Sequence, residues 1–145
     1  NRTGSRSPMQ WDDSTNAGFS SAPASDLYIA MDPDKDRPTA KKEMAAPDSL
    51  YHEVKKLIRI RQSHKALQSR GKITFVYAEK NTYPLAYIRE DGDEKILVII
   101  NAAAEAKTFA CDAEPKEAIY NFGAAAEAKN GKITVPAQSA GFYRI

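Results

Sequence analysis

From residue 71 onward the sequence breaks into short runs rich in β-branched and aromatic residues: KITFVYA, YPLAYIRE, EKILVIIN, KTFACD, EAIYNF, GKITVPA and AGFYRI. Each suits one strand and is too short for an ordinary helix. The intervening EKNT, DGD, AAAEA and AKNG read as turns, and Asp91-Gly92 and Asn130-Gly131 tolerate the positive φ of tight hairpins. Such strands, with a turn every ~8–12 residues, predict a mainly β fold, an antiparallel β-sandwich. The Ala/Glu/Lys stretches at 102–107 and 124–129 are read as loops.

Ahead of the strands the period lengthens. In DSLYHEVKKLIRIRQSHKAL (48–67), Leu50, Val54, Leu57, Ile58 and Arg61 fall on one stripe, opposite Glu53, Lys55, Lys56 and Arg59. The spacing predicts a helix over 48–67, with Asp48 behind Pro47 as its N-cap. Gly71 marks a point by which the helix has ended. Residues 1–47 have no period and contain Pro8, Pro23, Pro33, Pro38 and Pro47, which exclude a long helix or a central strand. Only DLYIAM (26–31) carries strand character. A structureless stretch this long is anomalous inside a compact domain, so it is expected to be part of a larger protein.

Composition excludes some partners. Net charge is +2 with scattered lysines, against nucleic-acid binding, and no apolar run nears the ~18 residues that span a membrane. The chain has 42% apolar and 28% charged residues, as a folded protein does. One cysteine, Cys111, admits no internal disulfide; it reads as a small strand residue and fits a reducing, cytoplasmic compartment. His52 and His64 stand twelve apart with no accompanying ligand set, so neither a metal nor another cofactor is expected.

The N-terminal loop carries the chemistry. Arg2 and Arg6 present rigid planar forks that hold sugar hydroxyls or a carboxylate, and Trp11 and Phe19 offer apolar faces for a pyranose ring. Each also has an ordinary structural reading, as carbonyl cap, ion pair or packing. SRSPMQWDDSTNAGFS (5–20) resembles the Ser-Arg-Thr-Pro-Met-Gln-Trp-Asp…Asn-Ala-Gly-Phe-Ser segment of the α-amylase superfamily, glycoside hydrolase family 13, in its α-glucosidase, oligo-1,6-glucosidase and trehalose-synthase branches. Ser7 stands where Thr is usual. PDSLYHEVKKLIRIRQSHKAL is similar to a helix of that family, with Lys65 in place of a proline, and YPLAYIRE…EKILVIIN to the opening of its C-terminal β-domain.

The resemblance implies a division at residue 67. Residues 1–67 would end a catalytic (β/α)8 barrel, with an active-site loop over 1–47 and the last barrel helix over 48–67. Residues 68–145 would be the appended antiparallel sandwich. It implies a sugar-binding role for Arg2, and loop-shaping roles for Arg6, Gln10 and Trp11. The family's catalytic carboxylates would all precede residue 1. Retaining α-glycosidases need two carboxyls about 5–5.5 Å apart, and adjacent, solvated Asp12 and Asp13 cannot replace them. The expectation is the C-terminal part of an enzyme acting on α-glucosides or α-glucans, inert alone. Six to eight apolar side chains of helix and loop, at about 1.5–3 kcal/mol each, would want cover. The missing barrel would cover them; alone, the chain is expected to self-associate or to fold back on its sandwich. The alternative is a starch- or glycogen-binding module whose exposed row would be drawn from Tyr77, Tyr83, Tyr87, Tyr120 and Tyr143.

Overall fold

Four consecutive side chains of one strand, Ile96, Leu97, Val98 and Ile99, are at most 1% exposed, so this strand is closed on both faces. It is the third of eight, β3, in a computed structural model that describes residues 6–145. These residues form two compact units, the first reaching Ile58 and the second running from Arg59 to Ile145.

In the second unit the strands are β1 (Lys72–Tyr77), β2 (Leu85–Asp91), β3 (Glu94–Asn101), β4 (Lys107–Ala110), β5 (Ala118–Phe122), β6 (Glu127–Lys129), β7 (Lys132–Val135) and β8 (Ser139–Arg144). They form two antiparallel sheets, ordered β1-β2-β3-β8-β5 and β4-β7-β6. Alternation sends Ala86, Leu97, Ile99 and Tyr143 of the larger sheet inward against Phe109, Ile133 and Val135 of the smaller. The sandwich is the expected fold class. The first hairpin turns on Gly92 and Asp93, one residue beyond the expected pair. The second turns on Asn130 (φ 52°) and Gly131 (φ 70°), both left-handed as a type I′ corner requires. That corner overturns the loop reading of 124–129. Glu127–Lys129 is strand β6, made so by pairing with β7 and not by its weak strand formers. Residues 102–106 do stay a loop, held by buried Asn101, whose Nδ2 donates to the Glu105, Val135 and Pro136 carbonyls.

Two helices precede the sheets. α1 (Ala40–Ala45) was not expected; Thr39 caps it, Oγ1 accepting from the Lys42 amide at 3.3 Å. α2 spans Leu50–Ser63, not 48–67. Ser49 stands at its start, its carbonyl accepting from the Glu53 amide. At the far end His64 leaves the helical basin (φ −121°, ψ 114°), and Lys65–Leu67 forms a separate 3-10 turn. The cause is tertiary. Glu94 of β3 accepts from His64 Nδ1 at 2.6 Å and from the Ala66 amide at 2.9 Å. Arg89 of β2 donates to the Ala66, Gln68 and Gly71 carbonyls. This polar staple ends the helix and fixes 64–71 on the large sheet. Burial would raise the Glu94 carboxyl, but the Ala66 amide, His64 and Arg144 outweigh it and hold the group below its ordinary value.

In the first unit the strand expected over 26–31 is absent. Ala24–Asp26 is a 3-10 turn and Tyr28 is 79% exposed. No strand among the described residues of this unit offers it a partner, and an unpaired strand leaves its amides to water. No helix among the described residues is long and apolar enough to cross a membrane.

Candidate functional site

Residues 6–22 are held by their own polar groups. The Asp12 carboxylate accepts from both the amide (2.8 Å) and the hydroxyl of Ser14, closing an Asx turn. The Trp11 and Asp12 amides converge on the Ala17 carbonyl at 2.8 and 3.2 Å, and Ala17 donates back to Ser14. To make that return, Asn16, Ala17 and Gly18 all take left-handed φ, at 50°, 54° and 71°. Asn16 tolerates this and is tied down, Nδ2 donating to the Ser20 and Ala22 carbonyls at 2.9 and 2.7 Å. Gly18 is required twice over. A Cβ there would lie 2.9 Å from Asp12 Oδ1 and 3.2 Å from Trp11 Cβ, besides the strained φ.

The loop is then strapped to the start of α1. Ala40 donates to the Gln10 carbonyl at 2.8 Å, Lys41 to the Trp11 carbonyl at 2.9 Å, and Lys42 Nζ pairs with Asp13 at 3.1 Å. Sequence reasoning missed this element. The available signal was Thr39 behind Pro38, ahead of the good helix formers AKKEMA.

Of the residues singled out, Arg2 lies outside the described residues. Arg6 is exposed, Gln10 is half-buried, and Trp11 is 52% exposed with its backbone fully engaged. Gln10 Oε1 is buried with no hydrogen-bond partner among the described residues. Pro8, Met9 and Gln10 line an open groove of about 760 Å3 with Leu50, Val54 and Ile58 of α2. The apolar stripe of the helix is therefore exposed, with Leu50 at 73%.

The Ser14 hydroxyl, then the Ser14 amide, hold the Asp12 carboxyl below the usual carboxylate range. It stays ionised at neutral pH, and an ionised group cannot protonate a leaving oxygen. His52 Nε2 lies 3.0 Å from the Met44 carbonyl, and burial pushes the Cys111 thiol up. Among the described residues no three His, Cys, Asp or Glu cluster to hold a metal. The five tyrosines form no exposed row. Tyr120 and Tyr143 are buried, Tyr77 packs on Phe109 at 5.4 Å, Tyr87 is half-buried, and Tyr83 alone of the five is exposed, at 43%.

The family model that describes the alpha-amylase catalytic domain matches residues 1–70. A glucan 1,6-alpha-glucosidase of Streptococcus pneumoniae serotype 4 is 30% identical over 93% of this chain and 24% of its own length. An oligo-1,6-glucosidase of Parageobacillus thermoglucosidasius is 34% identical over 74% and 18%. The crystal structure of the trehalulose synthase MutB from Pseudomonas mesoacidophila MX-45 superposes with a TM-score of 0.80 at 29% identity, covering 99% of this chain and 26% of that one. The chain thus spans about a quarter or less of the relatives it matches. On the Pro-Met-Gln-Trp-Asp loop, the catalytic-domain match and the sandwich after it, this chain belongs to the α-amylase superfamily, glycoside hydrolase family 13.

Proposed function

We propose that residues 1–47 form part of the substrate pocket, and 68–145 the stabilising β-domain, of a retaining α-glucosidase-type hydrolase acting on α-glucosides or α-glucans. The catalytic carboxylates belong to the remainder of that enzyme, so the 145 residues alone are inert. Arg2 holds the sugar, while Arg6, Gln10 and Trp11 shape the loop. The enzyme works in the cytoplasm, in keeping with the lone buried Cys111. The carrying observation is the loop's self-sufficiency: its Asx turn, its left-handed return and its two bonds to α1 rigidify the backbone while Trp11, Met9 and Phe19 stay about half exposed. Rigid backbone presenting unburied side chains suits a surface that meets a ligand and neighbouring catalytic groups. Asp12, whose carboxyl the Ser14 hydroxyl and amide hold below the usual range, does not supply the general acid.

The test assays the polypeptide carrying the encoded upstream region on 4-nitrophenyl α-glucoside, maltose, isomaltose and trehalose. Arg2→Ala should lower kcat/KM about 100-fold, equivalent to about 2.7 kcal/mol for a lost charge-assisted hydrogen bond. The 145-residue chain should show no turnover. Stoichiometric hydrolysis by that chain alone would refute the reading.

A further inference from the structure

Of the asparagines in this chain, Asn130 alone is followed by glycine. Asn1 lies outside the described residues, and three others have engaged side chains. Asn16 Nδ2 donates to the Ser20 and Ala22 carbonyls, Asn101 Nδ2 to those of Glu105, Val135 and Pro136, and Asn121 Oδ1 accepts from the Tyr143 hydroxyl at 2.7 Å. The Asn130 carboxamide has no hydrogen-bond partner among the described residues, and the Gly131 amide donates to none of them. Both residues are exposed at the β6–β7 corner, and nothing lies within 4 Å of a Cβ built on Gly131. Asn81 makes the contrast: it is exposed and left-handed at φ 57°, but β-branched Thr82 follows it.

We infer that Asn130 is a site of spontaneous deamidation, where the corner ages to aspartate and isoaspartate and releases β6. The Gly131 nitrogen gives its proton to hydroxide and attacks Asn130 Cγ. The N–Cγ bond forms, the Cγ–Nδ2 bond breaks, and ammonia leaves with a proton taken from water. The resulting succinimide then takes up one water. Opening at the side-chain carbonyl gives aspartate. Opening at the main-chain carbonyl gives isoaspartate, whose backbone runs through Cβ and Cγ. Nothing is oxidised or reduced. Lys129 and Lys132, the pair that closes the corner, favour the anionic nitrogen. Ring closure takes Asn130 out of its left-handed well, so the corner must first open. β6 is three exposed residues with β7 as its one neighbour, which makes that opening easy. After Asn81 the branched Thr82 side chain crowds the attacking nitrogen, as a glycine does not. The product sets a carboxylate between two lysines, and isoaspartate lengthens a corner whose geometry fits two ordinary residues. The five-stranded sheet shares no ladder with β6, so the loosening stays in the smaller sheet.

The test incubates the polypeptide carrying the encoded upstream region at neutral and at mildly alkaline pH, then maps its peptides by mass spectrometry and enzymatic isoaspartyl methylation. The peptide holding Asn130-Gly131 should gain the acid-for-amide mass increment, faster at the higher pH, and should accept methyl groups. The Asn81 peptide should do neither. Asp91-Gly92 can isomerise through the same ring, but without a mass change and in a separate peptide. Asn130→Gln should abolish both signals; Gln138 already sits at φ 48°, so glutamine is tolerated in a left-handed position of this fold. Amide hydrogen exchange across residues 127–135 should quicken in the aged protein and stay unchanged across β2 and β3. An intact Asn130, after an incubation that converts a synthetic Lys-Asn-Gly-Lys peptide, overturns the site. Conversion of Asn81 at the same rate overturns the part given to glycine. A converted corner with unchanged exchange overturns the release of β6.

Discussion

Glu94 and Gly18 are single residues on which much local structure depends. Glu94 accepts from an amide and an imidazole at once, and its folded-state carboxyl lies below its ordinary value. Its contribution is therefore complete above the unfolded-state value of about 4.3 and is lost as pH falls through the folded-state one. Glu94→Gln should cost about 1.5–3 kcal/mol at pH 7, the range for hydrogen bonds to a charged group. In urea titrations the gap between wild type and variant should close as pH drops below about 4. At Gly18 the added methyl meets both Asp12 and Trp11 at a left-handed φ, so Gly18→Ala should disrupt the return to Ala17 at a cost of about 1–2 kcal/mol. Trp11 is the sole tryptophan, so its fluorescence reports the loop directly. A spectrum and anisotropy unchanged in the variant would contradict the packing described.

Among the elements, legibility followed the strength of local period. The β-branched runs gave strands because alternation and turn dipeptides agree there, at Ile96–Ile99 as at Ile133 and Val135. Elements whose identity depends on a distant partner were not readable. β6 is strand only because β7 binds it, and α2 stops at Ser63 because Glu94, thirty positions on from His64, takes the imidazole. DLYIAM failed the other way, having strand composition and no partner. Since Tyr28 is so exposed and no ladder protects residues 27–38, brief chymotrypsin treatment should cut first after Tyr28, ahead of any site in β1–β8. First cleavage at Tyr87 or Tyr143 would contradict this.

At the scale of the molecule, the loop string was specific enough to point to the family, while the sandwich alone would fit many functions. The sequence left Trp11 open between buried packing and a surface role. Hydrogen bonds from backbone 10–12 to Ala17 and α1 hold the loop while the Trp11 ring stays half exposed, and no periodicity could have revealed that. The apolar stripe of α2 was legible, and among the described residues its Leu50, Val54 and Ile58 stand exposed.

The junction has a practical consequence. The matched catalytic domain ends at residue 70, yet the two compact units part at residue 58, and the intervening dozen residues travel with the sandwich through Ala66, Glu94 and Arg89. Chimeras exchanging C-terminal modules between relatives should therefore be spliced ahead of Arg59. A cut at the family border would hand the recipient a sheet stripped of its own keystone.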